Sequence, residues 1–178
     1  MKDGTKYGKY IHISSESSYE ESLGPGILGI TSKMCKGCYS YYVHWVLPDG
    51  KPKESVVGHP PHVHRENEMI FFIGMDPEHP EDLGATFEFS FGEEMERHVI
   101  DKTCCLTIPA GLPHGRYVIH ETRRPWMFIR AHEAVDRTEK PRIDLLTEKE
   151  KGAFENLDYW KSHWNALDYD DDAKTKAR

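Results

Sequence analysis

The chain is short of cysteine, has no long apolar run and carries no excess of positive charge, and each shortage removes a class of protein. The four cysteines among its 178 residues stand as Cys35-x-x-Cys38 and the adjacent pair Cys104 and Cys105. That is too sparse for a secreted disulfide scaffold, so reduced thiols are the expectation. No second CxxC follows and the βαβ setting of thioredoxin-like chemistry is missing, which leaves Cys35 and Cys38 as a weak candidate for a redox pair or half a zinc site. No segment approaches about eighteen uncharged apolar residues, and the opening MKDGTKYGKYIHISS has no apolar stretch behind its basic residues. A soluble, cytoplasmic protein without a membrane partner is the expectation. Lys and Arg total 23 against 30 Asp and Glu, a net charge of −7. A surface of that sign repels phosphate backbones, so no nucleic-acid partner is expected.

What the chain does have is a repeating two-residue pattern. The segment YSYYVHWVL at 39–47 is aromatic and β-branched, ENEMIFFIG at 66–74 is a short apolar run stopped by glycine, and in ATFEFSFGEE Phe87, Phe89 and Phe91 alternate with Glu88 and Ser90. CCLTIPAG, GRYVIHET and PWMFIRAHEA read as three more short strands. Short strands bounded by turn residues, with no helical period between them, predict an all-β sandwich or barrel. The length allows one domain with a sizeable core. Residues 1–38, with SSESSYEES and the turn-forming GPG, read as an arm with edge strands, 39–132 as the barrel, 133–170 as an extension and 171–178 as a disordered tail. Within the extension, Thr147 and Glu150 fit a capping box, and Leu157, Trp160, Trp164 and Leu167 recur at three and four, which predicts an amphipathic helix packed on the sheet.

The densest chemistry lies at 59–68, HPPHVHRENE. On a strand His62 and His64 point to the same face, so two imidazoles can reach one ion. Glu68 shares their parity, but six extended residues span about 20 Å at about 3.3 Å each, too far for a common ligand. If all three serve one metal the chain must reverse at Arg65-Glu66-Asn67, placing Glu68 near the start of a second strand. A helix would bring His64 and Glu68 together but turn His62 away, and the Phe71-Phe72-Ile73-Gly74 continuation favours a strand. A fourth donor must come from elsewhere, and His114 in IPAGLPHG, behind the turn made by Pro109 and Gly111, is the candidate.

The pair of patterns His62-x-His64-x-x-x-Glu68 and Pro109-x-Gly111-x-x-His114, about forty residues apart, resembles the two motifs of the cupin superfamily. The resemblance covers about residues 40–132 and implies a double-stranded β-helix, a small jelly-roll barrel. It implies that His62, His64, Glu68 and His114 bind one divalent transition metal per chain, with Fe, Mn, Ni, Zn and Cu all compatible with three imidazoles and a carboxylate. It further implies chemistry on a small-molecule substrate of the dioxygenase, decarboxylase, isomerase or lyase type, and a homodimer. His59, three residues before His62, is a candidate for proton transfer from the barrel mouth, with a solvent-exposed rim residue as the plainer reading. Arg116 has the parity of His114 and is a candidate to clamp a substrate carboxylate, with a surface ion pair as the alternative. Cys104 and Cys105 are expected to face core and solvent respectively or the reverse. The competing function is a non-catalytic binding or sensing module with a structural ion.

Overall fold

The computed structural model describes residues 60–135 and 137–154 without a break, the segments 24–30 and 39–48, and single residues or pairs at 6, 7, 10, 11, 13, 20, 21, 37, 53, 54, 157 and 158. The period-two segments become strands: β1 (Glu20–Glu21), β2 (Gly24–Ile30), β3 (Ser40–Val46), β4 (Lys53–Glu54), β5 (His62–Val63), β6 (Glu68–Gly74), β7 (Asp82–Phe91), β8 (Glu96–Lys102), β9 (Cys104–Ile108), β10 (His114–Thr122), β11 (Trp126–His132) and β12 (Lys140–Pro141). They form two antiparallel sheets, β1-β2-β3-β11-β6-β9 and β12-β5-β10-β7-β8, with β4 also paired to β10. Non-consecutive neighbours in both sheets, such as β11 between β3 and β6, make this the jelly-roll arrangement that the sequence predicts.

Alternation along each strand fills the space between the sheets. Phe72, Leu83, Ala85, Phe87, Ile108, Ile119 and Trp126 are almost wholly buried and form one cluster with Val46, Ile70, Phe89 and Phe128. Phe72 meets Phe87 at 4.8 Å and Phe128 at 5.5 Å between ring centroids, the second edge to face. This apolar cluster fills one end of the interior. Polar residues take over at the other end, where β6 begins and β11 finishes, because Glu68 is paired in register with His132 and Phe72 with Phe128.

Beyond the six period-two segments and the strand expected at His62, five strands are described: β1 and β2, within the arm read as carrying edge strands, β4, β8 and β12, with β2 paired to β3. β8 leaves only Ile100 buried in a seven-residue strand at the edge of its sheet, so its sequence has no apolar alternation to reveal it. After β11 the chain makes β12, a 3₁₀ turn at Ile143–Leu145 and helix α1 (Glu148–Ala153). The capping box is present: Glu150 N–H donates to Thr147 Oγ1 at 3.3 Å, and Thr147 N–H donates to Glu150 Oε2 at 2.8 Å. Leu157 packs with Leu146 and Phe154, whereas Trp160, Trp164, Leu167 and the tail at 171–178 lie outside the described residues.

Candidate metal centre

Three strands, β5, β6 and β10, bring four side chains to the polar end of the barrel. β5 carries His62, and His64 follows it; the chain bends at Arg65 and Glu66, so that Glu68 opens β6 as a strand–turn–strand reading requires. His114 opens β10 directly opposite His62. The turn before it is tied down by Gly111, which has φ +81° and donates its N–H to the His64 carbonyl at 2.8 Å. Asn67 bridges both sides, accepting from Ala110 N–H at 3.0 Å and donating to Glu133 at 2.8 Å.

His62, His64, Glu68 and His114 are all buried, and one donor atom from each lies within 4.8 Å of the others. Each imidazole turns Nδ1 toward a backbone carbonyl: His62 to Pro60 at 3.0 Å, His114 to Leu112 at 2.9 Å, and His64 to Thr138. A carbonyl only accepts, so Nδ1 carries the proton in all three rings and Nε2 keeps its lone pair. Glu68 Oε2 lies 2.9 Å from His114 Nε2 and 3.4 Å from His64 Nε2. These three atoms have no hydrogen-bond partner although they are buried, since the short approaches lack hydrogen-bond alignment. Burial opposes ionisation of Glu68, and a positive charge between its Oε2 and the facing Nε2 lone pairs is what offsets it. Inward-facing lone pairs around an ionised carboxylate would repel one another unless a cation sits among them, and this donor set suits a divalent transition metal.

The C-terminal extension contributes side chains for which the sequence offered no signal. Thr138 donates its N–H and hydroxyl to Glu66, at 2.8 and 2.6 Å, and its Oγ1 accepts from Arg65 N–H at 2.9 Å. That strap, extended by the pairing of β12 with β5, places Glu139 Oε1 3.2 Å from His62 Nε2 and 2.5 Å from Arg137. Burial pushes the Glu139 carboxyl up, with Arg137 opposing. His132, at the end of β11, sets Nε2 3.3 Å from Glu68 Oε1, and burial pushes its imidazole down to about 2. His64, Glu66 and His132 also approach one another closely enough to suggest a second ion site. The Glu66 carboxylate and His64 Nδ1 are, however, both committed to Thr138, which makes this group an anchor for the strap.

The chain has the cupin fold. The two-sheet jelly roll and the convergence of both motifs on one buried cluster decide it. No family model matches this chain, and no curated protein matches it. Solved structures do. An oxalate decarboxylase variant from Bacillus subtilis superposes with a TM-score of 0.48 at 16% identity over 80% of this chain and 35% of its own. The polyketide cyclase RemF from Streptomyces resistomycificus gives 0.45 at 13%, over 79% and 87%, and the Momordica charantia 7S globulin 0.44 at 10%, over 70% and 35%. The chain thus spans about a third of the length of the decarboxylase. Likeness at this level does not bear on activity.

The other sequence candidates fall elsewhere. His59, Cys35 and Cys38 lie outside the described residues. Arg116 does not share the interior with His114: the β10–β7 register shifts between Gly115 and Tyr117, and Arg116 adopts φ 46°. This bulge breaks the parity on which the substrate-clamp reading stood. Tyr117 takes the inward place against the core, and Arg116 pairs with Glu150 of α1 at 2.5 Å. Cys104 packs against the core and Cys105 is exposed.

Proposed function

We propose that this cupin is a metal-dependent enzyme acting on a small-molecule substrate, with His62, His64, Glu68 and His114 holding one divalent transition metal. The observation that carries the reading is the gathering of four buried donors within 4.8 Å of one another, with His64 Nε2, His114 Nε2 and Glu68 Oε2 turned inward without hydrogen bonds while the Nδ1 of His62, His64 and His114 each faces a backbone carbonyl. A metal in such a site supplies Lewis acidity, activation of bound water or a place for O₂ to bind. The chain's own residues do the rest: the three carbonyls orient the imidazoles, the Thr138 strap covers the cluster, and the apolar cluster behind it keeps water out. Substrate identity within the dioxygenase, decarboxylase, isomerase and lyase range stays open under this proposal, as does the choice among Fe, Mn, Ni, Zn and Cu. A homodimer in the cytoplasm completes it.

The deciding measurement is metal content by mass spectrometry of protein purified without tag or chelator, beside a His62→Ala/His114→Ala variant checked for folding. About one equivalent in the parent and little in the variant is expected. A parent that neither carries nor regains metal would sink the proposal. One observation favours the second reading, a sensing or binding module with a structural ion: His64, Glu68 and His114 are each no more than 2% exposed. Cobalt(II)-loaded protein separates the two, because small anions such as azide perturb the visible spectrum of an ion with an open position and leave that of a closed one unchanged.

A further inference from the structure

Glu68 divides its two oxygens. Oε2 faces His114 and His64, at 2.9 and 3.4 Å, while Oε1 faces His132 Nε2 at 3.3 Å. The division follows from the sheet, since His132 on β11 is the direct partner of Glu68 on β6 and both side chains point inward. The geometry points to His132 as a positioning residue for Glu68, which holds Oε1 so that Oε2 alone is presented to the ion. This rests on the reading of the cluster as a metal centre.

Three observations support it. Neither ring nitrogen of His132 has a hydrogen-bond partner, although the side chain is fully buried, and a buried imidazole without partners costs free energy that a phenyl or leucyl side chain at the same place would not. Its two nitrogens face carboxylates, Nε2 toward Glu68 Oε1 and Nδ1, at 3.7 Å, toward Glu66 Oε1. Glu66 already takes two donors from Thr138, so Glu68 is the acceptor that remains. Third, a carboxylate can grip an ion through one oxygen or both, and a donor on the second oxygen selects the one-oxygen mode. His132 itself stands outside the group of four converging donors and packs its ring against His64 at 4.9 Å between centroids.

The test uses the full chain, stripped and reloaded with cobalt(II), and compares the parent with His132→Leu and His132→Gln, the second keeping an N–H donor of similar reach. Affinity is measured by chelator competition and the ligand field by visible absorption. His132→Leu is expected to lose about 10- to 100-fold in cobalt affinity and to shift the visible bands as Glu68 turns two-pronged, while His132→Gln stays close to the parent in both. Should His132→Leu fail to fold, His132→Asn, which draws the amide back by one methylene, takes its place with the same expected loss. A leucine variant with the parent's affinity and spectrum, or a glutamine variant as impaired as leucine, overturns the inference and leaves the metal centre standing. A parent that binds no cobalt removes both.

Discussion

At the scale of single residues the site is built from small steric tolerances. Gly115 has φ +109°, and a Cβ there would stand 3.2 Å from His62 Nδ1 and 3.4 Å from the Pro60 carbonyl. Those two atoms are the hydrogen bond that fixes the His62 tautomer. Gly115→Ala is therefore expected to cost about 1–3 kcal/mol in backbone strain and to lower metal content as well, measured by melting and by metal analysis of the same preparation. Unchanged metal content would show that His62 keeps its orientation without the Pro60 contact. Gly74 is a second case: an added Cβ would lie 2.0 Å from the Asp82 carbonyl oxygen, and that neighbour is backbone. Gly74→Ala should destabilise the junction of β6 and β7 without altering the ligands, because the site lies at the opposite end of β6.

At the scale of elements, one bulge separates two jobs of β10. His114 opens the strand at the metal cluster; past the irregularity at Arg116, Tyr117 and Ile119 serve the core and Arg116 reaches α1. Arg116→Ala is expected to loosen α1 and to leave metal content at the parent level, which a paired thermal melt and metal assay would establish. Thr147→Ala removes the side-chain half of the capping box, leaving the backbone N–H of residue 147 on Glu150, and should cost about 1 kcal/mol. Metal loss in either variant would mean that α1 supports the site. The strand–turn–strand passage through His62, His64 and Glu68 was legible because ligand distance alone forbids a straight strand. The bulge was not, because it depends on the pairing of β10 with β7.

For the molecule as a whole, the interior is divided between an apolar end and a polar end, and a buried imidazole beside the apolar cluster, His44 opposite Phe128, makes it sensitive to acid. Burial, with Arg130 adding to it, pushes the His44 imidazole from 6.5 down to about 3. The unfolded chain takes up a proton below about pH 6.5 that the folded chain refuses, so this contribution is intact above pH 6.5 and is lost as pH falls toward 3. The slope is at most about 1.4 kcal/mol per pH unit for one such group. Urea unfolding at stepped pH should show that decline, and His44→Leu should flatten it between pH 6.5 and pH 4; a parent and variant with parallel curves would rule His44 out as the cause. At the apolar end, Phe72→Ala should cost about 3–5 kcal/mol, since Phe72 is fully buried among Phe87, Trp126 and Phe128.

The sequence by itself determined the all-β class, the main strands and, if one ion is shared, the reversal between His64 and Glu68, because period-two alternation and ligand spacing are local properties of the chain; that His114 joins His62, His64 and Glu68 was implied by the resemblance of the two motifs. Only the tertiary structure decided who stands around those four. His132 faces Glu68 through the register of β11 on β6, and Thr138 and Glu139 reach His64 and His62 across more than seventy residues of sequence, through β12 laid along β5. The inward parity of Arg116 was lost to a bulge in the same way. Alternation tells which face of a strand is buried; which strand lies beside it, and in what register, depends on how the two sheets close on one another.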